Sequence, residues 1–188
     1  SDAAIALSKL ASTPAVLTGS TNNQITTVTG ANAIAGEANL TFDGSRLLQG
    51  HSASILVGSM DANKQLVGTD FSSSGMSLQR FQNGQSGPSL AFAHSKNDTK
   101  GNQSAVASGD ELGKIRFYGS DGTDYANTAV QIRGTVDGSV SSDDVPGKLE
   151  ISAASGGSLA NVAVFRASGN VEISDGDLVV ASGHGIDF

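Results

Sequence analysis

The chain has no cysteine and no tryptophan, and only three prolines, two tyrosines and seven phenylalanines in 188 residues. Without cysteine there is no disulfide framework, no thiolate metal site and no thiol nucleophile, and the chain is indifferent to the redox state of its compartment. Large apolar residues are sparse as well. Leu, Ile, Val and Phe make up 44 of the 188 residues, about 23%, just above the level of roughly 20% below which charged chains stay disordered. No run approaches the ~20 apolar residues of a membrane-spanning helix, and Ala3–Leu7 is too short for a signal peptide and lacks its basic flank, so no membrane insertion is expected. Positive charge is scarce too. Eleven Lys and Arg against 18 Asp and Glu give a net charge of −7, and the basic residues are scattered, which argues against the clustered cationic surface that nucleic acid requires.

What the chain does have is small and polar: 24 Gly, 27 Ser, 12 Thr and 11 Asn. Ordering glycine backbone costs more entropy than ordering any other residue, and a core this poor does not offset that cost within one chain. Self-association is the expected remedy, because any partner that binds only the folded chain adds to its stability.

The apolar residues that are present alternate. Lys114–Tyr118, Val130–Arg133, Lys148–Ile151 and Ala163–Arg166 each place every second side chain on one face, the pattern of a strand with one face toward a core. Ile115 and Phe117 are therefore expected to face a core, and Lys114, Arg116 and Tyr118 solvent or a neighbouring subunit. The intervals Ser120–Asp124, Val136–Ser139 and Ala154–Ser158 are rich in Gly, Asp and Ser and read as turns.

The order of these segments carries a resemblance. Leu112-Gly-x-Ile-x-Phe-x-Gly119, Val130-x-Ile-Arg133, Pro146–Ile151 and Phe165-Arg-Ala-Ser-Gly-Asn-Val-Glu-Ile173 together resemble the β-rich shaft of tail fibres and tail spikes of tailed bacteriophages. Ile25–Gly44 is similar to the lead-in to such shafts, particularly in fibres of marine phages. The resemblance covers most of residues 25–188 and implies a homotrimeric virion fibre, located on the phage tail or particle surface, with no chemistry of its own. A particle assembled in a cytoplasm and used outside it suits a chain without cysteine.

Four regions are expected along an all-β, elongated, intertwined trimer of short antiparallel strands. Residues 1–38 show little strand periodicity and read as an extended N-terminal arm, with one helical turn over Ala3–Leu10, that docks on other virion proteins. Residues 39–75 hold short runs (Leu40–Phe42, Arg46–Leu48, Ser54–Val57, Gln65–Val67), each closed by a glycine, and read as a β-prism or collar. Residues 76–168 read as a β-sandwich or meander of about six strands that begins with a hairpin, Ser77–Gln82 and Ser89–His94. Residues 169–188, with Gly169, Gly176 and Gly183 seven apart, read as axial glycine-turn rungs. The first residue is Ser1, not methionine, and the pattern runs to Phe188 without a cap, so trimming or a longer natural chain is expected.

No catalytic, cofactor-binding or metal site is expected. A Gly-x-Ser-x-Gly elbow is missing. His51, His94 and His184 lie far apart with no ligand-spaced partner and read as ordinary surface or strand residues. His184, between two glycines, is the one that three copies around a threefold axis would gather into a ring. Asp121–Asp124 and Asp143–Asp144 offer oxygen ligands but match no calcium loop, and turn formation is the better reading. Gly183-His-Gly185 is a turn and not a dinucleotide fingerprint. The functional expectation is a trimeric tail fibre segment that projects or supports binding to a host receptor or polysaccharide. The alternatives are a polysaccharide-degrading tail spike whose catalytic part lies elsewhere, and a capsid decoration fibre or adhesin stalk. The shortage of aromatic residues for stacking on sugars weighs against the enzyme.

Overall fold

The computed structural model describes residues 16–18, 23–31, 33–174 and 176–179. The protein is all-β: two five-stranded sheets, and no helix among the described residues. The chain divides into two compact units, residues 1–81 and 82–188.

The first unit contains β1 (Val16–Thr18), β2 (Gln24–Gly30), β3 (Ala33–Phe42), β4 (Leu47–Gln49) and β5 (Lys64–Leu66). Strand β3 is its spine. β2 pairs antiparallel along one edge, while β1 in parallel and β4 antiparallel share the other, and β5 continues in parallel from β4. The β3–β4 connection turns on Asp43, whose carboxylate accepts hydrogen bonds from the backbone N–H groups of Ser45 (2.9 Å) and Arg46 (2.7 Å). The Arg46 guanidinium then reaches both Asp43 and Asp61, tying the turn to the segment before β5. Gln65 holds the crossover by pairing both ends of its amide with the backbone of Ile55. Leu48 is the buried apolar residue of this unit.

The second unit is a simple meander: β6 (Glu111–Tyr118), β7 (Thr128–Val136), β8 (Gly147–Ser155), β9 (Ser158–Phe165) and β10 (Val171–Ile173), all antiparallel, in the order β10-β9-β8-β7-β6. The β8–β9 turn is Gly156-Gly157, with φ of +60° and +83°. Two consecutive left-handed residues match the twist of a two-residue hairpin, and glycine adopts them without strain. The apolar residues buried in this unit are Val106, Val136 and Val164.

Several expectations are corrected. Residues 1–38 are not simply an arm, since β2 and the first six residues of β3 lie there and β3 runs across the expected boundary at 38. These strands are Thr-, Ala- and Gly-rich and are held by ladder hydrogen bonds, so apolar alternation was too weak to reveal them. The helical turn expected over Ala3–Leu10 lies outside the described residues. Ser54–Val57 forms only an isolated bridge, Val57 with Met60. Ser77–Gln82 and Ser89–His94 are not strands and make no hairpin, so residues 76–168 hold four strands. Residues 171–173 do not begin a new rung. They complete the meander by pairing with β9, after a turn closed by hydrogen bonds from Gly169 N to Arg166 O and from Arg166 N to Asn170 O. Residues 176–179 form no strand, and residues 175 and 180–188, with Gly183 and His184, lie outside the described residues.

Candidate interaction surface

The register of the meander puts most of its apolar side chains on one face, Val164 being buried on the other beside Glu150 and Glu172. Ile115, Ile132, Ile151, Ala163 and Ile173 are successive cross-strand partners and form a single row over all five strands. Phe117, Val130, Ala153 and Ala160 form the row on one side, and Gly113, Gly134, Leu149, Phe165 and Val171 the row on the other. None of these residues is polar or charged. The face is nevertheless largely uncovered, with Phe92 standing over Gly113 at its edge. Seven of its large side chains, Ile115, Phe117, Val130, Leu149, Phe165, Val171 and Ile173, are between 38% and 59% exposed. The alternation read in the sequence holds, but Ile115 and Phe117 reach no core among the described residues.

The opposite face is polar and better covered. Gln131, Thr135, Glu150 and Ser152 are buried. Glu150 is the hub: one carboxylate oxygen accepts from the Thr135 hydroxyl (2.7 Å) and from Arg133 Nε (3.0 Å), and the other from Asn161 Nδ2 (3.0 Å), with Lys148 Nζ at 3.2 Å. Burial alone raises the pKa of this carboxyl. The hydrogen bonds from Thr135 and Lys148 and the charge of Arg133 outweigh it and hold the pKa at about 2. Ser152 donates to Asn161, which joins the network over β7, β8 and β9, and a separate hydrogen bond from Arg116 to Gln131 links β6 to β7 on the same face. Among the described residues no buried side-chain polar atom lacks a partner. At the far edge Arg166 clasps Glu172 through two hydrogen bonds of 2.8 Å and also reaches Asp137, tying β10 to β9 and to the β7–β8 loop.

The residues singled out in the sequence are scattered. His51 Nδ1 lies 2.6 Å from the Ala53 carbonyl oxygen, and His94 Nδ1 lies 2.8 Å from the Glu111 carbonyl oxygen. Asp121 caps its own turn by accepting from the N–H groups of Thr123 and Asp124, which lowers its pKa, and Asp124 accepts from Ala126 N. Asp143, at φ +63°, sits inside the turn that Ser141 and Asp144 close. His184 is outside the described residues. Among the described residues no three His, Asp or Glu side chains gather as metal ligands. A recess of about 190 Å³ in the first unit is lined by Asn23, Gln24, Ala38, Thr41, Asp43, Leu48 and Ser52.

Sequence reasoning missed the Glu150 hub. Its signal was present, since Thr135, Glu150 and Asn161 stand on the faces opposite the isoleucines, but a polar position on an alternating strand ordinarily reads as solvent-facing. No protein-family model matches the chain, and no curated protein sequence matches it.

Proposed function

We propose that this chain is a structural segment of a bacteriophage virion fibre, which assembles as a homotrimer, projects or supports binding to a host surface receptor, and performs no catalysis. The observation that carries the reading is the inverted exposure of the β6–β10 sheet. Its polar face is buried and satisfied while its apolar face is bare, which is half of a two-layer core. Burying what remains exposed of the seven large side chains on that face is worth about 5–10 kcal/mol per subunit before the cost of association. A wall of this kind from each of three chains, apolar faces inward, makes a shaft whose outside is the polar network. The shaft-like segments of the sequence support this, since Leu112–Gly119, Val130–Arg133, Pro146–Ile151 and Phe165–Ile173 supply strands of this one sheet.

Two measurements test the reading. Light scattering on the purified chain should return three times 18.9 kDa, and a monomer that unfolds cooperatively would overturn the assembly. Immunogold labelling of particles that carry this chain should mark tail or surface fibres, and unlabelled particles would overturn the virion assignment.

A further inference from the structure

Ser89–Ala93 has the sequence of a strand and no strand to pair with. Leu90 and Phe92 alternate with Ser89, Ala91 and Ala93, yet none of the five makes a hydrogen bond with any described residue. The segment is nonetheless placed. His94 Nδ1 touches the Glu111 carbonyl oxygen at 2.8 Å, and Phe92 stands over Gly113, where a Cβ would lie 2.6 Å from the Phe92 Cβ. It therefore crosses the apolar side of β6 at its start, with Leu90 58% and Phe92 54% exposed and its backbone donors and acceptors open.

The other end of the same sheet has the complementary deficiency. β10 pairs with β9 on one side, and its outer edge carries no hydrogen bond among the described residues. Its Val171 and Ile173 are exposed members of the apolar face. An open strand edge beside uncovered apolar side chains accepts an extended segment as an added strand. Gly84–Ala93 contains no charged residue, and neither does the apolar face, so joining them desolvates no charge and selects no charged partner. A second copy of this chain brings segment and edge in equal number. Because the donor segment lies at the β6 end of the sheet and the open edge at the β10 end, the contact runs head to tail, the geometry that forms a ring where the rotation between copies closes and an open filament where it does not.

We propose that Ser89–Ala93 of one copy adds as a sixth strand to the outer edge of β10 in a second copy, with Leu90 and Phe92 continuing that copy's apolar face beside Val171 and Ile173. This rests on the chain being an oligomer, and the test separates the two. Hydrogen exchange read by mass spectrometry on the intact assembly should show amides within Leu90–Ala93 exchanging at least about 100-fold more slowly than after dissociation. Co-expressed Leu90→Cys and Ile173→Cys chains should form a disulfide-linked heterodimer on oxidation, against a background free of cysteine. An oligomer whose Leu90–Ala93 amides exchange freely overturns the strand addition and leaves the assembly standing. Protection without the heterodimer overturns β10 as the acceptor. A monomeric chain by light scattering overturns both.

Discussion

Glu150 stays ionised although only 3% exposed, because Thr135, Arg133, Lys148 and Asn161 all direct donors at it. Its folded pKa, about 2, lies below the ordinary 4.5, so the stability it contributes is fully present above pH 4.5 and is lost as the pH falls toward 2. Asp43, Asp110 and Asp121 are lowered in the same direction, so the useful measurement is a difference. Thermal denaturation of Glu150→Gln should show a loss of about 3 kcal/mol at pH 7 relative to the parent, narrowing toward zero near pH 2. A parallel pair of curves would show that the hub is not the acid-sensitive element. Gly50 is the second residue-scale test. It has φ +88°, and a Cβ there would fall 1.8 Å from the Val67 carbonyl oxygen. Gly50→Ala should cost at least about 1–2 kcal/mol from backbone strain alone, read from a urea unfolding midpoint.

At the scale of the element, the five strands of the meander separate a satisfied polar face from an unsatisfied apolar one. Phe117 is half exposed in the single chain, so Phe117→Ala should change the stability of the dissociated chain by no more than about 1.5 kcal/mol but weaken the assembly by about 3 kcal/mol or more. Urea unfolding below and above the association concentration reads both numbers, and equal values would mean that the face is not an interface. Ile132→Asp together with Ile151→Asp puts two charges in the central row and should leave monomers by light scattering, with the polar network intact. β6 to β9 were legible in the sequence because their alternation is strong and their turns are Gly- and Asp-marked. Ser77–Gln82 and Ser89–His94 alternate equally well and are not strands, because a strand exists only where a partner edge lies within hydrogen-bonding distance. β2 and the start of β3 escaped detection for the converse reason, having partners without an apolar pattern.

For the whole molecule, the described residues bury four large apolar side chains, Leu48, Val106, Val136 and Val164, and leave many more exposed. A chain with this balance should gain much of its stability by mass action. Its melting temperature should therefore rise with protein concentration, and a concentration-independent transition would mean that the single chain is stable alone.

The amino-acid sequence by itself determined the β class, the turns at Gly156-Gly157 and Asp121–Asp124, the two-faced character of Lys114–Tyr118 and its neighbours, and the shortage of core. These are local matters of backbone preference, side-chain period and composition, and they need no knowledge of neighbours. Only the tertiary structure decided that the isoleucines of β6, β7, β8 and β10 fall in one row with Ala163 of β9, that the polar face is the buried one, and that β10 completes the sheet of β6–β9. Those outcomes depend on register, and register is set by which strands meet. The four donors converging on Glu150 are spread over residues 133 to 161 and become neighbours only when the ladder brings their strands side by side.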